Sequence, residues 1–316
     1  MIRALLGGLG DALSSPRQLA VLWLALLLVA LPAGVLIEES INASIGASRV
    51  DESLREGLDL SWLSEYGSRA RGLERSVQPS IVGRGAVFDN LESWFSGALF
   101  LDTRTVAFGA AYALIWLFLL GGVIDRFARR ERKFVMAPFM AAGARFFPRL
   151  LRLTVISGVL YFGIYRFARW LFPWIERLMK DVTVERQVLF ANLAGACVVV
   201  ALLGLVNLVF GYAKIAVVYE GRRSSLGALM RALRFVAGRP GKAIGLYLAL
   251  ALVACLVIAL YALLAPGPGQ STAVGIAFAF LVGQLFLVAR LALRLTFFSA
   301  QLRLYESERF GGAVGS

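Results

Sequence analysis

The sequence contains no histidine among its 316 residues and only two cysteines, Cys197 and Cys255. Histidine is the commonest metal ligand and the commonest general base near neutral pH, so its absence removes Ser-His-Asp triads and most zinc and haem sites. Both cysteines fall in apolar runs, where cysteine serves as a small packing residue. We therefore expect no cofactor, no metal centre and no catalytic residue, and the sequence does not predict an enzyme.

Charged residues are also scarce, at 17% of the chain against 59% hydrophobic residues. Soluble proteins contain about 25% charged and about 45–50% apolar residues. The charges lie in blocks separated by apolar runs of about 20 residues, the length that crosses about 30 Å of hydrocarbon. The composition predicts an all-α polytopic membrane helix bundle in a single domain. The six predicted spans are 19–37, 105–124, 153–172, 188–218, 243–264 and 273–300.

Serine and proline mark the beginnings of three predicted spans. Ser15 precedes Pro16, and Pro148 and Pro240 lie just before the third and fifth spans. Proline is favoured at the first position of a helix, where its missing N–H costs nothing, and serine is favoured as the preceding cap. We therefore expect a helix to begin at or near each of these prolines.

The basic residues predict which side of the membrane each connection occupies. The N-terminus, residues 125–152, residues 219–242 and the tail after residue 300 carry 18 Lys and Arg against 6 Asp and Glu. The other connections carry 10 against 14. Connections rich in Lys and Arg stay in the cytoplasm. Both termini are therefore predicted to be cytoplasmic, and the net charge of +13 needs no nucleic-acid partner.

Residues 38–104 form the longest predicted connection, which the charges place outside. Within it, the apolar residues of 87–100 recur at helical spacing and include Trp94, a residue type favoured at membrane interfaces. This connection is either a cap that docks a partner or covers a substrate, or an interfacial helix that packs over the bundle.

The two basic cytoplasmic connections, 125–152 and 219–242, resemble each other. Arg145 aligns with Arg234 at an offset of 89 residues, which suggests an internal repeat. Each connection, like residues 2–13, is predicted to form an amphipathic helix in the inner headgroup layer, where each Lys or Arg contributes about 1 kcal/mol of attraction to anionic lipid. These helices either recognise lipid headgroups or only anchor the protein and fix its topology.

No Asp or Glu falls within the predicted spans, which disfavours a proton- or sodium-coupled carrier. Polar residues do occur there, and we expect Asn192, Asn207 and Gln284 to link helices by hydrogen bonds.

Five cations also lie within the spans. Lys214, Arg290 and Arg294 approach the inner face, where their side chains can extend to the interface. Arg166 and Arg169 approach the outer face instead. These two either extend at an aromatic belt formed with Trp170 and Trp174, or bind a headgroup, an acid of residues 38–104 or a partner protein.

Four short stretches carry a resemblance to a known family: residues 15–17 (SPR), 57–63 (GLDLSWL), 121–122 (GG) and 145–150 (RFFPRL). Through them the chain resembles an uncharacterised family of six-helix bacterial inner-membrane proteins. Its layout is also similar to the membrane domain attached to some glycerophosphodiester phosphodiesterases. The resemblance implies a bundle in the bacterial inner membrane and carries over no activity.

Three classes of function compete. The first is an accessory, scaffold or assembly subunit of a larger membrane complex, with lipids and other subunits as partners. The second is a transporter or lipid-handling protein, which a continuous polar cavity would favour. The third, an enzyme acting on lipid, needs a nucleophile or metal site that the sequence does not show. We expect the first. Contacts with lipid or a partner are predicted at Trp94, Arg145, Arg166, Arg169, Trp170, Trp174, Arg234, Arg290 and Arg294.

Overall fold

A computed structural model describes residues 2–46, 59–70, 74, 103–131, 133–266 and 272–310. These residues form α-helices and no β-strand, which confirms the predicted fold class. The helices are α1 (Ile2–Leu13), α2 (Pro16–Gly46), α3 (Leu60–Arg69), α4 (Thr103–Ala128), α5 (Met136–Leu178), α6 (Glu185–Tyr219), α7 (Ser225–Gly238), α8 (Pro240–Leu264) and α9 (Ala273–Phe310).

Six of the described helices, α2, α4, α5, α6, α8 and α9, are long and apolar enough to cross a membrane. Each contains one predicted span. Large apolar side chains are exposed along these helices, among them Leu193, Val200 and Leu252. Lipid contact is the ordinary reason for such exposure in a spanning helix.

The prolines behave differently at the three predicted helix starts. As predicted, α2 begins at Pro16 and α8 begins at Pro240. The expected start at Pro148 is wrong, because α5 runs from Met136 through this proline. An internal proline costs about 3 kcal/mol. Phe146 and Leu150, on either side of it, are fully packed, and their burial offsets much of that cost.

The two basic connections also differ in structure, because α5 runs through Pro148 whereas α7 ends before Pro240. The second contains the separate amphipathic helix α7 as predicted, with Ser224 accepting a cap hydrogen bond from the Gly227 amide at 3.1 Å. Arg239 leaves helical geometry before Pro240 (φ −142°, ψ 54°). The first connection has no separate amphipathic helix among its described residues, since α5 is continuous. The internal repeat stays a prediction.

The helix predicted for residues 2–13 is confirmed as α1, which packs on α9. Asp11 accepts hydrogen bonds from Arg303 at 2.8 and 2.9 Å. Gly8 permits the close approach, because a Cβ there would lie 2.8 Å from the backbone nitrogen of Ala300. The position of α1 in the headgroup layer stays a prediction.

The chain divides into two compact units, which are described separately. The first comprises the described residues within 1–11, 117–248 and 296–316. There α5, α6 and α7 pack against one another. The C-terminal part of α4 packs closely on α5, since a Cβ at Gly122 would lie 2.5 Å from the Phe139 carbonyl oxygen.

Polar contacts join the helix ends of the first unit. The hydroxyl of Tyr305 donates to Glu220 at 2.6 Å, and Glu220 also pairs with Arg222. The adjacent Glu220 carboxylate raises the pKa of Arg222 by hydrogen bonding and charge. On α9, the Glu308 carboxylate is paired with two cations, Arg239 at 2.7 Å and Lys242 at 2.6 Å. Charge-assisted hydrogen bonds therefore join the helix ends of this unit on the side that is predicted to be cytoplasmic.

The second unit comprises the described residues within 12–116 and 249–295. In it, Asp59 caps α3 by accepting from the Ser61 and Trp62 amides at 2.8 and 3.2 Å. Trp62 and Tyr66 are buried, and the Tyr66 hydroxyl lies 3.2 Å from Ser40 Oγ on α2. The helix predicted for residues 87–100 lies outside the described residues.

Candidate functional site

The candidate site is a pair of arginines in the middle of α9, near the predicted cytoplasmic end of the sixth span. Arg290 and Arg294 are one helical turn apart. At 1.5 Å per residue they lie about 25 and about 32 Å along the axis from Ala273, where α9 begins. That distance matches the thickness of the hydrocarbon core, so both side chains approach one face of the membrane.

Aromatic rings surround these cations. The Arg294 guanidinium donates a hydrogen bond to the Tyr112 hydroxyl of α4 and lies over the Trp116 ring, 4.8 Å from its centre. Arg290 lies over Phe286 at 5.6 Å. Aromatic faces attract a guanidinium electrostatically. They hold its position but leave its positive charge uncompensated.

No described acidic residue forms an ion pair with Arg290 or Arg294. Each guanidinium offers five N–H donors in a planar fork. Two like charges one turn apart repel each other, and an uncompensated cation in hydrocarbon is costly. The site therefore has the chemistry to bind an anion.

Neighbouring contacts hold this part of α9 in place. Trp23 of α2 donates from Nε1 to Gln284 Oε1 at 2.8 Å. Phe286 stacks on Tyr261 of α8, with ring centres 4.1 Å apart. These contacts lie one to two turns before the arginines and restrict the rotation of their helix.

The three polar span residues have different outcomes. Gln284 links α2 to α9, and Asn207 links α6 to α8 by donating to the Tyr247 hydroxyl at 3.1 Å. Both predictions are confirmed. Asn192 instead donates to the Val188 carbonyl of its own helix at 3.0 Å, so the expected link between helices is wrong. A cavity adjoins the Asn192 side chain, which explains why no neighbouring helix supplies a closer partner.

The residues predicted near the outer face lie on α5. Trp170 and Trp174 are exposed and stacked, with ring centres 5.8 Å apart. Arg169 is exposed and donates to the Tyr165 hydroxyl at 3.3 Å, and Arg166 is exposed. Neither arginine pairs with an acid of the described residues. Their binding to a headgroup or partner stays a prediction.

The remaining predicted residues are dispersed. On the surface of α5, Arg145 lies over Phe146 at 5.3 Å, and Arg234 is exposed on α7. Trp94 lies outside the described residues. Among the predicted residues that the structure describes, Arg290 and Arg294 alone belong to the second unit.

Sequence reasoning missed the aromatic partners of the arginine pair. Tyr112 and Trp116 are four residues apart on α4, so they share a helix face in the same way as Arg290 and Arg294. The same four-residue spacing on two spans was the signal in the sequence that could have indicated this contact. Within the described ranges, no group of three or more His, Cys, Asp and Glu could hold a metal ion.

No family model, curated protein or solved structure was found to match the chain. The resemblance to six-helix inner-membrane proteins therefore stays a prediction. The site is interpreted from its own chemistry.

Proposed function

We propose that the protein is a lipid-binding membrane protein that holds the phosphate of an anionic phospholipid at Arg290 and Arg294. The observation that carries this proposal is the pair of guanidinium groups on an apolar helix with aromatic neighbours and no described acidic partner. Lipid handling was the alternative expectation from sequence. The arginine pair favours it over an accessory subunit, which stays a prediction.

A phosphate fits the donor geometry of this site. Arginine binds phosphate through two parallel N–H donors, and such charge-assisted bonds are about twice as strong as neutral ones. The contacts of Arg294 with Tyr112 and Trp116 fix its side chain before binding, which reduces the entropy that binding would cost.

A lipid fits the surroundings better than a soluble anion. Gly283 lies two turns before Arg290 on the same helix face, and no atom beyond its chain neighbours and the adjacent helix backbone lies within 4 Å of where its Cβ would be. Ile276, two further turns away on that face, is exposed. An open apolar strip therefore extends from the arginines into the span, where an acyl chain can lie.

The proposal is tested by native mass spectrometry after reconstitution with equal phosphatidylglycerol and phosphatidylcholine. The wild type is expected to retain phosphatidylglycerol, and R290Q/R294Q is expected to retain about tenfold less, a change of about 1.4 kcal/mol. The control R69Q/R129Q removes the same charge from exposed arginines that each pair with an acid one turn away. It is expected to behave like the wild type.

The variant R290K/R294K separates the contribution of positive charge from that of the planar guanidinium groups. It keeps both charges but lacks the planar fork, so intermediate retention is expected. Equal retention of phosphatidylglycerol by the wild type and by a folded R290Q/R294Q protein would refute the proposal.

A further inference from the structure

A second feature, in the first unit, bears on a different class of lipid. A cavity of about 450 Å³ lies between the end of α5 and the start of α6. Its volume falls in the range of about 300–1,000 Å³ that is usual for small-molecule sites. Phe172, Met179 and Val188 give it apolar walls, and Glu176, Lys180 and Asn192 give it polar groups.

The two charged residues of the cavity are four positions apart in the sequence. Glu176 lies in the last turn of α5, and Lys180 follows the end of that helix at Leu178. They form no ion pair with each other or with any other described residue. The cavity therefore presents a carboxylate and an ammonium side by side, both open to a ligand with two charges.

Asn192 adds a directed acceptor. Its Nδ2 donates to the Val188 carbonyl oxygen at 3.0 Å, which fixes the orientation of the amide. Its Oδ1 has no hydrogen-bond donor among the described residues and lies on a side chain that lines the cavity. A ligand group with two or more N–H donors could bind both this oxygen and the Glu176 carboxylate.

We propose that this cavity binds the phosphoethanolamine headgroup of a membrane phospholipid. Glu176 and Asn192 accept hydrogen bonds from its primary ammonium, and Lys180 binds its phosphate. Both charged residues line the same cavity, as binding of a headgroup whose two charges are joined by a short two-carbon link requires.

The position of the cavity favours a lipid over a soluble zwitterion. It lies at the ends of two spanning helices, and large apolar side chains close to it in sequence are exposed: Leu178, Leu189 and Phe190. Trp170 and Trp174, also exposed, are the residue type that is enriched at the headgroup level. Acyl chains can pack against this apolar surface while the headgroup occupies the cavity.

The cavity also distinguishes ethanolamine from choline. A primary ammonium has three N–H donors, whereas a trimethylammonium group has none. Phosphatidylcholine would leave the Asn192 oxygen and the Glu176 carboxylate without these hydrogen bonds, so we expect it to bind less tightly than phosphatidylethanolamine.

The test uses the full chain in nanodiscs of equal phosphatidylethanolamine and phosphatidylcholine, with bound lipids counted by native mass spectrometry. Retention of phosphatidylethanolamine over phosphatidylcholine by about tenfold is expected. E176Q and K180Q are each expected to reduce that preference to near unity. E185Q, which removes an exposed acid of α6 outside the cavity lining, should leave it unchanged.

Three results would overturn the proposal: no preference in the wild type, the same loss in E185Q as in E176Q, or equally tight binding of soluble phosphoethanolamine. Both cavity side chains are exposed, so these substitutions spare the packed core. R290Q/R294Q should keep the preference for phosphatidylethanolamine. Failure of the cavity proposal is therefore distinguishable from failure of the arginine site.

Discussion

The guanidinium carbon of Arg294 on α9 lies 4.8 Å from the centre of the Trp116 ring on α4. The ring face attracts the cation, and the Tyr112 hydroxyl accepts one of its hydrogen bonds. Neither group carries a negative charge. The contact therefore fixes the arginine in place and leaves its charge for an anion, which is the basis of the proposed lipid site.

Removing the Trp116 ring should weaken lipid binding without removing any charge. W116L is expected to lower phosphatidylglycerol retention by about twofold to thirtyfold, because a cation–π contact is worth about 0.5–2 kcal/mol. W170L, which removes an exposed tryptophan of the first unit, should have no effect. Equal retention by W116L and wild type would show that the ring does not prepare Arg294 for binding.

Two glycines of α4 should respond oppositely to the same substitution. A Cβ at Gly122 would lie 2.5 Å from the Phe139 carbonyl oxygen, so G122A should lower the free energy of unfolding by about 1–3 kcal/mol. A Cβ at Gly109 would meet no atom within 4 Å beyond its chain neighbours and the adjacent helix backbone, so G109A should raise the free energy of unfolding by about 0.5–1 kcal/mol. Denaturant titration in mixed micelles measures both. A neutral G122A would contradict the close packing of α4 on α5.

The carboxylate of Glu220 should contribute more to stability than an exposed acid does. Its side chain is 5% exposed and bonds to Arg222 and Tyr305. E220Q is expected to cost about 1.5–3 kcal/mol of unfolding free energy, since hydrogen bonds to a buried charge are lost. E65Q, at an exposed pair with Arg69, should cost less than about 0.5 kcal/mol. Similar costs for both variants would contradict this difference.

The predicted topology can be tested with single cysteines in a C197A/C255A background. A cysteine replacing exposed Asp181, between α5 and α6, should react with an impermeant thiol reagent added outside. A cysteine replacing exposed Arg223, between α6 and α7, should react only after the membrane is opened. The asymmetry of Lys and Arg is the physical reason. The reverse labelling pattern would invert the topology.

The helices were predictable where local sequence determines them. Apolar length defines the spans, and the separate helix at residues 225–238 follows from its spacing of apolar residues. Pro148 was mispredicted because burial of Phe146 and Leu150 depends on distant helices, and a local proline rule does not include it. The same limit applies to the Asn192 amide, whose surroundings depend on how α5 meets α6.

The candidate site was predictable in part. Arginines within an apolar run are visible in the sequence because they are costly there. Their partners are not visible, since Tyr112 and Arg294 are 182 residues apart and nothing local relates them. The cavity was missed for the same reason, because Glu176 lies on α5, Lys180 follows the end of that helix, and Asn192 lies on α6.

The central claim is contact between the arginine pair and a lipid phosphate. Solid-state NMR can measure it as carbon–phosphorus dipolar coupling between the labelled arginine guanidinium carbon and lipid phosphorus in phosphatidylglycerol bilayers. Subtracting the spectrum of R290K/R294K from that of the wild type leaves the signal of Arg290 and Arg294. The account predicts a difference signal with a distance of about 4–5 Å, the spacing of a guanidinium hydrogen-bonded to phosphate. A difference spectrum without phosphorus coupling would contradict it.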